Sequence, residues 1–106
     1  MEHAEKITGE VAAWENVTTV PHRFGGTEFR YNTRRELGHL HGNSLLDIPF
    51  PMKIRDELVR SGRVQPHHIL PESGWVSFYI RTEKDVNEAI ALMKMSYEIA
   101  AKKYPE

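Results

Sequence analysis

Apolar residues recur along this chain in two different periods. Ala4, Ile7, Val11 and Trp14 fall at spacings of three and four, which predicts one face of a helix. From Val17 to Ile48 the pattern changes to short segments parted by turn residues. Val17–His22 reads as a strand. Phe24-Gly25-Gly26 reads as a turn, because paired glycines accept positive φ at little steric cost. Thr27–Tyr31 alternates, with Thr27, Phe29 and Tyr31 on one side and Glu28 and Arg30 on the other. Arg35–His41 and Leu45–Ile48 complete an antiparallel meander.

The helical period then returns. Pro51 suits the first position of a helix in which Ile54 and Leu58 face inward, and Gly62 suits a left-handed stop. Val64–Pro71 carries Pro66 and Pro71 and reads as an irregular crossing segment. Trp75–Ile80 alternates again, Val76, Phe78 and Ile80 against Trp75, Ser77 and Tyr79. Thr82 with Asp85 resembles a capping box. Val86, Ile90, Met93, Tyr97, Ala100 and Tyr104 then form a long apolar stripe, with Pro105 past its end. The order helix, four strands, helix, strand, helix predicts an α+β fold over residues 1–106 as a single domain. Its antiparallel sheet would have about five strands, with the N- and C-terminal helices packed on one face. Val76, Phe78, Ile80, Phe29, Tyr31 and the two terminal stripes make the expected core.

Composition narrows the function more than the fold. The chain has 14 basic and 15 acidic residues, a balance that argues against a protein built to hold a polyanion. It has no cysteine, so disulfides, thiolate metal sites and thiol nucleophiles are excluded. The opening MEHAEKITGE is too polar for a signal peptide, and no apolar run approaches the roughly 20 residues of a membrane span. A cytoplasmic location is the expectation. No nucleophile elbow, P-loop, dinucleotide fingerprint or zinc-finger spacing is present.

The chemistry concentrates in Gly38–Pro51, GHLHGNSLLDIPFP. Strand parity puts Leu37, His39 and His41 on one face and Gly38 and Leu40 on the other. If Gly38 and Leu40 face the helices, His39 and His41 share the open face with Trp75 and Tyr79, a surface suited to a flat polar ligand. The apolar Leu37 leaves the reverse parity open. Two histidines at i and i+2 can ligate a metal, with a third ligand from Asp47, His22, His67 or His68. No glutamate follows at a cupin-type spacing; His39 and His41 are then either ligand or proton-transfer groups or structural, exposed histidines, with no metal and no cofactor expected. Asp47, between Leu46 and Ile48, is either a general base or a turn-capping acceptor. His67 and His68 are adjacent, so they should diverge and at most one should enter a pocket. Arg23 can hold a carboxylate or phosphate in a bidentate pair, or an ion pair with Glu28 or Asp47.

The runs PHRFGGTEFRY, ELGHLHG, LLDIPFP and PHHILPESGW together resemble the small bacterial and archaeal luciferase-family proteins. The family shares its name with the fungal bioluminescence luciferase, which oxidises a hydroxylated pyrone with molecular oxygen. The C-terminal half, from His67 or His68 through Trp75–Ile80 to Ser96-Tyr97, also resembles the YjbR-type double-wing proteins of frataxin-like topology. The resulting expectation is a small domain that binds a planar organic ligand, with cofactor-free, oxygenase-like chemistry. His39, His41 and Asp47 would be catalytic, and Arg23, His68, Trp75 and Tyr79 would bind the ligand. The alternative is a non-catalytic module that binds nucleic acid or protein through Arg34, Arg35 and the middle helix. Nucleic acid is the less favoured partner, no membrane is expected, and a homodimer is left open.

Overall fold

The computed structural model describes residues 2–22 and 25–103. Its elements are α1 (Glu2–Ala12), β1 (Val17–Pro21), β2 (Thr27–Tyr31), β3 (Arg35–His41), β4 (Leu45–Pro49), α2 (Met52–Arg60), β5 (Gln65–Pro66), β6 (Trp75–Tyr79) and α3 (Glu83–Lys103). The strands form one antiparallel sheet in the order β1-β2-β3-β4-β6-β5. The α+β class holds, with six strands rather than about five. The added strand is Gln65–Pro66, inside the segment expected to be irregular. It is short because Pro66 has no N–H for a ladder.

Local chemistry sets the helix ends. The Asp85 N–H donates to Thr82 Oγ1 at 3.2 Å while the Thr82 N–H donates to Asp85 Oδ2 at 3.1 Å, the expected reciprocal box. Pro51 is the cap residue before α2 rather than its first helical residue. Gly62, at φ 80°, follows α2, and the Arg63 N–H reaches back to the Leu58 carbonyl. Tyr104, Pro105 and Arg23 lie outside the described residues. No helix of the described chain is long and apolar enough to cross a membrane.

Helix α3 packs on α1, β2, β3 and β4, and α1 packs on β1, so the terminal helices share one sheet face. Phe29, Tyr31, Leu40, Leu46, Ile48, Val76 and Phe78 are buried there with Ile7, Val11, Leu92 and Met93. Each such side chain contributes about 1.5–3 kcal/mol before entropy is subtracted.

One irregularity decides what the opposite face carries. The β2–β3 register runs Glu28↔His39 and Phe29↔Gly38, then jumps to Arg30↔Glu36. Leu37 is the extra residue of a β-bulge. Gly38 takes φ 152°, and a Cβ there would lie 2.9 Å from both the Asp47 carbonyl oxygen and Met93 Sδ. The bulge breaks simple alternation. Leu37 and Leu40, three apart, both enter the core, and the Leu37 carbonyl accepts the Ser96 hydroxyl of α3 at 2.9 Å. Glu36 and His39, also three apart, meet on the other face. Leu37 therefore does not share a face with His39, and the ambiguity of strand parity disappears.

Candidate functional site

A single cross-strand row runs over the open face. Val20, Glu28, His39, Asp47, Ser77 and Gln65 stand opposite one another from β1 to β5. Asp47 is the centre of this row and is fully buried. Its Oδ1 accepts the Ser77 hydroxyl at 2.8 Å. Its Oδ2 faces four imidazole Nε2 atoms: His41 at 3.0 Å, His68 at 3.1 Å, His67 at 3.3 Å and His39 at 3.5 Å.

The histidines reach that oxygen from two sources. His39 and His41 stand two apart on β3, beyond the bulge, and project in parallel. His67 and His68 come from the loop after β5. Contrary to the expectation that they diverge, both reach Asp47, because the chain leaves strand geometry at Pro66 and their rings stack at 4.3 Å. His67 Nδ1 accepts the backbone N–H groups of Ile69 and Leu70 at 3.1 and 3.0 Å, which holds the turn. With Nδ1 an acceptor, the hydrogen of the neutral ring sits on Nε2, toward Asp47. Arg55 of α2 donates to the Pro71 carbonyl, and the Phe50 N–H donates to the Gly74 carbonyl at 3.0 Å, tying down the rest of the loop.

The carboxylates set the charge of the cluster. Burial disfavours the His39 imidazolium, but hydrogen bonds to Asp47 and Glu36 and their negative charge outweigh it. The His39 pKa is pushed up to about 9. Its Nδ1 lies 2.5 Å from Glu36 Oε2. Burial also disfavours the Asp47 anion, yet hydrogen bonds from His39, Ser77 and His68, with the charge of His67, hold it below the usual carboxylate range. Burial lowers the pKa of His67 and of His22. His22 stacks on His39, with ring centroids 3.9 Å apart.

These groups form the floor of a cleft of about 600 Å³. Its walls include Pro21, Ile69, Leu70 and Trp75. Ile69 and Leu70 are 71% and 51% exposed, an unusual display for aliphatic side chains beside a polar floor. Trp75 leans against His39 at 5.3 Å.

The fold thus brings together His39, His41, Asp47, His68 and Trp75. Tyr79 lies on the same sheet face but lines a separate hollow with Arg63, Gln65 and Arg81. Glu36, Ser77 and the Glu28–Arg30 ion pair, 2.6 Å long, also belong to the site's surroundings and were not singled out from sequence. Three donor sets among the described residues are close enough to hold a metal ion. They are His22/Glu36/His39, His39/His41/Asp47 and Asp47/His67/His68, each with its atoms within 4.8 Å of one another.

No curated protein and no solved structure is similar enough to match. Residues 34–96 match a family model described as the luciferase domain. That span is more than half of the chain and contains every cluster residue except His22 and the Glu28–Arg30 pair. The chain belongs to the luciferase-domain family.

Proposed function

We propose that the cleft binds a small planar organic ligand and that the His/Asp floor exchanges a proton with it. The observation that carries this reading is the pairing of His41 and His68 with one buried carboxylate beneath an apolar rim. Their side chains are 29% and 34% exposed, and each Nε2 is held by Asp47 at 3.0 and 3.1 Å. An imidazole oriented by a carboxylate is the arrangement general base catalysis requires. The other ring nitrogen, Nδ1, is then the atom for exchange with a ligand. His67 is unsuited to that role, because its Nδ1 is engaged by two backbone N–H groups. A protonated His39 supplies positive charge for a ligand enolate. Trp75 offers a flat apolar surface, and Ile69 and Leu70 exclude water from one side.

The test uses chelator-treated protein and a panel of enolisable heteroaromatics such as hydroxypyrones and hydroxyquinolones. Binding should shift the ring signals of His41, His68 and Trp75 in NMR spectra, and the bound enol should show the absorbance of its anion. His41→Asn or His68→Asn should slow ligand hydrogen–deuterium exchange by about 100-fold, as expected for loss of a general base. Oxygen uptake with a bound ligand tests the oxygenase-like extension. A panel that leaves these signals unmoved at millimolar concentration would remove the reading.

A further inference from the structure

The cluster poses a counting problem that protons alone do not solve. Asp47 Oδ2 has two lone pairs to offer. Four imidazole Nε2 atoms lie between 3.0 and 3.5 Å from it. The hydrogen bonds from His41 and His68 at 3.0 and 3.1 Å use both. Nε2 of His67 and of His39, at 3.3 and 3.5 Å, then face an oxygen with no lone pair left. Asp47 Oδ1 gives no relief, because the Ser77 hydroxyl already donates to it at 2.8 Å.

A shared cation removes the conflict. We propose that Nε2 of His39 and His41, with Oδ2 of Asp47, binds one divalent first-row metal ion. Imidazole and carboxylate donors without thiolate suit the zinc, iron and nickel class. Bonds of about 2.0–2.1 Å to a tetrahedral ion set ligand atoms about 3.3 Å apart. The Asp47 Oδ2 distances to the two imidazole donors are 3.0 and 3.5 Å, which bracket that value.

The surroundings distinguish ligand from non-ligand. His39 donates from Nδ1 to Glu36, which leaves the Nε2 lone pair directed at the cluster. That is the carboxylate–histidine–metal pattern, with Glu36 as a positioning residue. His67 has the opposite tautomer and so steadies Asp47 instead of binding the ion. Charge also fits. Glu28 is offset by Arg30, so Asp47 and Glu36 remain as two negative charges for one divalent ion. All three donors stand on the neighbouring strands β3 and β4. The site does not depend on an organic ligand. With the ion bound, it supplies the positive charge that protonated His39 supplies in the metal-free protein.

The test is calorimetric titration of the chelator-treated full chain with Zn²⁺, joined by the visible spectrum of the Co²⁺ form. One Zn²⁺ per chain should bind with Kd below about 1 μM. Asp47→Asn and His41→Ala should each weaken it by about 100-fold or more, and His68→Ala, which removes only a hydrogen bond to Asp47, by no more than about 10-fold. His22→Ala, outside the three donors, should leave the affinity within about three-fold and so excludes the His22/Glu36/His39 set. If Asp47→Asn fails to fold, His41→Ala at the end of β3 carries the comparison. Sub-stoichiometric binding, or affinity indifferent to His41→Ala, would overturn the site. Zinc binding with no response to the heteroaromatic panel retains this inference and removes the preceding reading. Ligand binding without zinc binding does the reverse.

Discussion

The two faces of one sheet make opposite uses of neighbouring residues. Toward α1 and α3, Phe29, Leu37, Leu40, Leu46, Ile48 and Val76 are almost wholly removed from water. On the other face, Glu28, His39, Asp47 and Ser77 occupy the intervening positions and are also buried. The first face needs only apolar volume. The second must satisfy every polar atom it buries, since an unpaired one costs about 1–3 kcal/mol. Carboxylates, imidazoles and one hydroxyl linked into a network satisfy most of them, and the crowding of Nε2 atoms at Asp47 Oδ2 is the exception. Burial on both faces gives the cluster a rigid floor, while the loop from Pro66 to Gly74 leaves one side of it open to a cleft.

The comparison breaks first on the apolar side. Phe29→Ala should destabilise the chain by about 3–5 kcal/mol in urea unfolding, while the histidine ring signals of the folded fraction stay in place. A folded Phe29→Ala protein with dispersed histidine shifts would mean that the faces are not independent. Gly38→Ala strikes both faces at once. The substitution adds a Cβ at φ 152° against the Asp47 carbonyl and Met93. It should cost about 2–4 kcal/mol, from backbone strain and overpacking, and should also separate Glu36 from His39. An unchanged midpoint would show that the bulge is not needed.

On the polar face the effects depend on pH. The folded His39 pKa of about 9 lies above its ordinary value of 6.5. Its contribution is therefore complete below about pH 6.5 and is lost as pH rises through about 9. In metal-free protein this window should show a fall in stability on the order of 2 kcal/mol. Phe29→Ala should lower the whole curve without moving that window. A flat profile between pH 6.5 and 9 would refute the charged pair. Glu36→Ala should weaken zinc by about 10-fold, and Glu36→Gln should recover part of the loss by accepting the same hydrogen bond. The ¹⁵N shifts of the His39 ring report the tautomer directly. A purely structural Glu36 would leave them unchanged.

Elements set by local pattern were legible in the sequence. The capping box at Thr82 and Asp85 and the stripe Val86, Met93 and Ala100 depend on residues three or four apart, and both are present. The alternation of β2 and β6 placed Phe29, Val76 and Phe78 in the core for the same reason. His39, His41 and Asp47 were recognisable as a group because two strands and a tight turn bring them together. Glu36 escaped because period two fails at the bulge. The available signal was Gly38 inside a strand between Leu37 and His39. His68 was named as a ligand contact, but the convergence of both His67 and His68 on Asp47 escaped because their positions come from a loop held by Arg55, Phe50 and the His67 ring, contacts with no repeating pattern. Gln65–Pro66 is too short to show alternation at all.

The smallest predicted effect tests whether the faces separate cleanly. Asp85 accepts the N–H groups of Arg81 and Thr82 at 2.8 and 3.1 Å, ahead of the helix that covers the apolar face. It is half-buried and is not part of the cluster. Asp85→Ala should cost about 1 kcal/mol of stability, as for loss of a helix cap. Zinc affinity and the histidine signals should remain those of the parent chain. The cost should fall away below the ordinary aspartate range, because those hydrogen bonds lower the Asp85 pKa and their contribution is lost once the carboxylate is protonated. A change in zinc affinity on this substitution would mean that fraying at the start of α3 reaches β4 through the core. Asp47 would then depend on the opposite face for its position as well as on its own row.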